Sequence, residues 1–156
     1  YYCYYIKYIK VKVYFPNNDL KELLKMHANV DGRDYEYVLL DTNKMTAIGN
    51  MAVEPVKVEH INVLKCFGYI VQIKNKLIWY SGDSNKVSDV INKYAIDEFY
   101  QDTCLADYEG NVHTSLKVLC QSIPKDKRKN VYCMHIDCDE LINKAVEEGF
   151  NVVETI

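Results

Sequence analysis

The hydrophobic pattern of this chain changes its period at one point, and that change limits the folds open to it. Up to Tyr80, apolar residues come in short β-branched and aromatic runs divided by turn residues, at 6–15, 35–40, 44–48, 52–59, 67–73 and 76–80. Such runs read as strands, and the tight turn through Asn75 makes the last two a hairpin, so a meander is expected. Beyond Asp83 the spacing lengthens. Helical patterns at 84–94, 114–122 and 137–148 alternate with strand-like runs at 96–101, 131–134 and 151–154, the order in which parallel strands are joined by crossover helices. One more helix is predicted over 19–27, after the Pro16-Asn17-Asn18 turn; Ser84 and Asp137 are the expected caps of two later helices and Gly149 an expected stop. The expectation is an α/β fold, a mixed β-sheet with helices on one face, in a single domain over 1–156 with no internal repeat.

Charge and composition narrow the function classes. A chain of 156 residues, 49% hydrophobic and 26% charged, can bury one core. A net charge of -3 offers no bulk attraction to nucleic acid or an anionic membrane, and the dense basic run Lys125, Lys127, Arg128 and Lys129 reads as a solvated loop. Six cysteines, at 3, 66, 104, 120, 133 and 138, lack Cys-x-x-Cys spacing; they predict buried thiols in a reducing, cytoplasmic setting. No apolar run is long enough to span a bilayer, so no membrane partner is expected. The chain opens at Tyr1 in a strand-like run, and the expectation from that opening is a fragment of a longer protein.

The chemistry gathers where strands end. Ser81-Gly82-Asp83-Ser84 follows the apolar run Leu77-Ile78-Trp79-Tyr80, placing a carboxylate just past a buried strand. His60 and His135 also follow predicted strands. Active residues of such sheets gather at strand ends, so these three are expected to converge, and a carboxylate with imidazoles is a donor set for a catalytic metal. Taken singly, each has a plainer explanation: Asp83 as an Asx-turn, the histidines as rings satisfied by backbone.

Four segments then resemble one family in order: Val58-Glu59-His60 running into Phe67-Gly68-Tyr69-Ile70-Val71; Tyr80-Ser81-Gly82-Asp83-Ser84; Gly110-Asn111-Val112-His113-Thr114-Ser115; and Val131-Tyr132-Cys133-Met134-His135-Ile136-Asp137. The set is similar to the metallo-β-lactamase-fold hydrolases, in their phosphodiesterase or ribonuclease Z-like branch, over roughly the last two-thirds of the chain. The resemblance implies the second half of an αββα sandwich holding two zinc ions, with His60 on one metal, Asp83 bridging and His135 on the other. It also implies a hydrolase of a phosphodiester or similar ester, with a small-molecule or nucleotide-type substrate. His113 resembles a histidine that assists the phosphodiester reaction, which would make it the catalytic proton donor or charge stabiliser here. The alternative is a residue that merely starts a helix.

The departure is equally specific. The signature His-x-His-x-Asp-His of the family is absent from this sequence, so three ligands remain, with partial or no zinc, and the isolated chain is expected to be inactive. A sheet built to pack on a second sheet would leave a face for the missing N-terminal half or a homodimer partner to cover. The alternative from another class is a noncatalytic structural or binding domain with an incomplete metal site.

Overall fold

The computed structural model describes residues 7, 9–28, 35–42 and 44–153. A small parallel pair, β1 (Val11–Phe15) and β2 (Tyr35–Leu39), is connected through α1 (Asn18–Ala28). The main sheet has seven strands in sequential order: β3 (Thr46–Ile48), β4 (Met51–Val58), β5 (Cys66–Ile73), β6 (Lys76–Tyr80), β7 (Glu98–Asp102), β8 (Val131–Met134) and β9 (Asn151–Val152). Strands β3 to β6 pair antiparallel, and β6 to β9 pair parallel. The switch falls at the change of period: hairpins suffice before it, and the parallel partners after it are reached through α2 (Val90–Lys93), α3 (Leu116–Ser122) and α4 (Asp139–Glu147). Ile6 and Tyr8 of the expected first strand lie outside the described residues, as do Tyr1 to Tyr5 and the end of the last expected strand.

Side-chain alternation gives the sheet two unlike faces. Ile70, Trp79, Phe99 and Val131 stand in register across four strands and form the core with Val90, Leu116, Leu119, Ile123, Leu141 and Ala145 of the helical side. Helices thus lie on one face. Gly68 lets this layer close, because a Cβ there would lie 2.5 Å from the Trp79 ring. The opposite face carries Tyr69, Tyr80, Tyr100 and Tyr132, also in register, with the last two stacked at 4.8 Å between ring centroids. Tyr80 is 47% exposed.

Three local expectations change. The helix expected over 84–94 is confined to Val90–Lys93; Ser84, its expected cap, accepts the Gln101 amide on Oγ and Thr114 Oγ1 on its carbonyl, and its N–H donates to Asp102. The hydroxyl and carbonyl that a cap turns toward its own first turn are engaged by other elements, so Ser84 is a buried tertiary contact and not a cap. Residue Asp137 does not cap α4; Cys138 holds that position, with Asp139 and Glu140 in the first turn favouring the helix dipole. Arg128 is buried, not solvated: its guanidinium donates to the Cys120, Ile123 and Glu148 carbonyls and pairs with the Glu148 carboxylate, while stacking over Phe150. It therefore clamps the C-terminal ends of α3 and α4. Among the described residues no helix is long and apolar enough to cross a membrane.

Candidate functional site

Asp102 ends β7 with its side chain fully buried, the most demanding position in the sheet for a charged group. Its Oδ2 accepts the Ser84 N–H at 2.8 Å and lies 2.7 Å from His113 Nδ1. Its Oδ1 is 3.4 Å from His135 Nδ1 but makes no hydrogen bond among the described residues. Above it the imidazoles form a row, with ring centroids 5.1 Å apart for His60 and His113 and 4.6 Å for His113 and His135. Donor atoms of Asp102, His113 and His135 all lie within 4.8 Å of one another.

Each member is aimed by its own segment. His135 directly follows β8 with φ +61, a left-handed conformation uncommon outside glycine. His60 follows β4, and its Nδ1 lies 2.7 Å from the Val112 carbonyl; with a proton on Nδ1 the ring is fixed and Nε2 is left as a lone-pair donor. His113 is held by a folded loop. Asn111 accepts the His113 N–H through Oδ1 and donates through Nδ2 to the Ala106 carbonyl, while Asp107 accepts from Ser115 Oγ and pairs with Lys117 at 2.7 Å. Ser115 is also the α3 cap, accepting from the Val118 N–H, so His113 precedes the helix rather than starting it. The turn after β6 depends on Gly82, whose φ is +59 and where a Cβ would lie 2.8 Å from the Phe67 carbonyl oxygen.

A metal fits this donor set. A fully buried carboxylate with one oxygen lacking a hydrogen bond, beneath a row of imidazoles, is a charge awaiting a cation. Neither Cys133 nor Cys104 supplies a thiolate: burial pushes the Cys133 thiol up to about 11 and raises that of Cys104, so both stay protonated at neutral pH.

A model of the family described as anti-Pycsar protein Apyc1 matches residues 12–154. The chain belongs to that family. Among curated proteins no match is found. Solved structures sharing the fold include the metallo-β-lactamase fold protein YhfI from Bacillus subtilis, at TM-score 0.70 and 12% identity over 94% of this chain and 63% of that one. A diphosphatase from the PhnP family matches at TM-score 0.69 and 18% identity, over 94% of this chain and 56% of that one. Human tRNase Z, short form, matches at TM-score 0.57 and 15% identity, over 94% of this chain and 64% of that one. The fold is that of the metallo-β-lactamase-fold hydrolases. This member of the Apyc1 family spans less than two thirds of each of those chains.

Of the residues singled out from sequence, the structure brings His60, His113 and His135 into one row. Asp83 is exposed in the turn after β6, one residue before the Ser84 that binds Asp102, and is not among the donors that cluster within coordination reach. The carboxylate that sequence reasoning missed is Asp102. Its signal was the one used for Asp83, a carboxylate closing an apolar run, but the strand expected over 96–101 runs in fact over Glu98–Asp102.

Proposed function

We propose that this chain is the C-terminal portion of a dinuclear, zinc-dependent hydrolase acting on a phosphodiester or similar ester, in which His60, Asp83 and His135 are metal ligands and His113 is the proton donor. The observation that carries the reading is Asp102: a buried carboxylate that holds His113 at 2.7 Å and keeps its second oxygen free beside His135. Bound zinc would supply Lewis acidity and an acidified water. The chain's own residues supply orientation. Asp102 fixes the His113 ring with Nδ1 inward, leaving Nε2 to hold or deliver a proton to a leaving oxygen. The Val112 carbonyl does the same for His60, whose Nε2 is then free for a metal. The tyrosine-bearing face is the surface that an N-terminal half, or a second copy, would cover.

One observation favours a variant of this reading, in which Asp102, His113 and His135 hold a metal directly, since their donor atoms lie within 4.8 Å of one another. Metal stoichiometry by mass spectrometry, beside hydrolysis of a chromogenic phosphodiester by the full-length protein, separates the two. Asp83→Ala should lose metal and activity together. His113→Ala should keep its metal and lose turnover by about a hundredfold or more. Full activity in the Asp83 variant would refute the bridging role, metal loss in the His113 variant would make that residue a ligand, and a wild-type protein without metal would leave a noncatalytic binding domain.

A further inference from the structure

We propose that Gln101 is a positioning residue, which locks the turn after β6 to the loop before α3 and so holds Asp102 and His113 in one geometry. Its effect on turnover rests on the hydrolase reading above; its effect on geometry does not. Gln101 is fully buried and, by strand alternation, points away from Asp102 toward the helical side of the sheet. There the neighbouring positions are Phe99, Val131 and Cys133, all apolar and buried. An apolar residue would pack at that position with no desolvation cost. Instead the Gln101 amide donates to Ser84 Oγ at 2.8 Å and to Thr114 Oγ1 at 3.0 Å, and its own Oε1 has no hydrogen-bond partner among the described residues. A buried amide with an unsatisfied oxygen is not what stability alone selects.

The contacts close a ring through the site. Thr114 Oγ1 donates to the Ser84 carbonyl at 3.0 Å, the Ser84 N–H donates to Asp102 Oδ2, and that same oxygen receives His113, the residue before Thr114. One amide thus ties together two loops that carry site residues, across 17 positions of sequence in one direction and 13 in the other. Without it, Ser84 and Thr114 have one bond fewer, and the His113 ring is free to drift from Asp102.

The test uses Gln101→Met in the full-length protein, read first without metal. The His113 Nδ1 proton, protected by Asp102, should give an exchange-protected imidazole resonance by NMR in the wild type, assigned by its loss in His113→Ala. Gln101→Met should lose that resonance and, with zinc bound, lower phosphodiester turnover about 10- to 100-fold with metal content unchanged. Leu141→Val, a core change in α4 away from the ring, should lower the Tm yet keep both the resonance and the turnover. Thr114→Val should reproduce the Gln101→Met result and decides the matter if that variant does not fold; the double variant should be no worse than either single one. Retention of the resonance in Gln101→Met, equal loss in Leu141→Val, additive losses in the double variant, or no such resonance in the wild type would each overturn the proposal. Loss of the resonance in a protein that binds no zinc would refute the hydrolase reading and leave the positioning role standing.

Discussion

Replacing Asp102 by Asn tests whether the buried carboxylate serves a cation or merely the fold, because the two roles predict opposite signs. Asn keeps the shape: its oxygen can accept from the Ser84 N–H and from His113, as Oδ2 does at 2.8 and 2.7 Å, and its amide nitrogen takes the place of the unpartnered Oδ1 beside His135. Two charge-assisted bonds become neutral ones, at about 1 kcal/mol each. Against that, removing a fully buried charge relieves a desolvation penalty of several kcal/mol. The metal-free variant should therefore melt at or above the wild-type temperature. With zinc the sign reverses. A 10- to 100-fold loss of affinity is about 1.4–2.8 kcal/mol, which for a chain of this size removes about 3–11 °C of the zinc-induced rise in Tm. Differential scanning fluorimetry of both proteins, with and without zinc at fixed concentration, measures each quantity. A metal-free variant that melts well below wild type, with an undiminished zinc shift, would show Asp102 to be a structural hydrogen-bond acceptor and refute the cation argument.

Two further predictions concern the frame around the site. Gly68→Ala places a methyl 2.5 Å from the ring of Trp79, the sole tryptophan; overpacking of this kind costs about 1–3 kcal/mol, so the urea midpoint should fall and the tryptophan emission should shift, and an unchanged midpoint and spectrum would contradict the packing described. Hydrogen bonding to the Arg128 guanidinium holds the Glu148 carboxyl below its ordinary 4.5. A depressed carboxyl stabilises the fold above its unfolded pKa and loses that contribution as pH falls through the folded value. Urea titrations of wild type and Glu148→Gln should therefore differ most at neutral pH and converge in acid, as pH falls below the ordinary 4.5 and through the lower folded value, whereas a pH-independent difference would exclude the ion pair as its source.

The kinds of element, their order and the strand ends that bear histidines were all legible in the amino-acid sequence, because each depends on local periodicity. Turn residues close the hairpin at Asn75, β-branched and aromatic runs make strands of β4 to β6, and amphipathic spacing makes helices of α3 and α4. That His60, His113 and His135 share one sheet edge also followed from order, since strands laid down sequentially bring their ends together. What tertiary structure alone decided was the fate of individual polar groups. Asp102 and Asp83 both close apolar runs, yet one is buried beneath the histidines and the other is exposed, because the Ser84 N–H from a distant turn reaches the first. Ser84 likewise commits to Gln101 and Thr114 the hydroxyl and carbonyl that a cap of the expected helix at 84–94 would have used. Arg128 belongs to a run of charges that looks solvated, and only the convergence of three carbonyls from Cys120, Ile123 and Glu148 makes its burial favourable. Gln101 follows the same logic. Burial of a polar group is set by partners many residues away, and a period read along the chain carries no record of them.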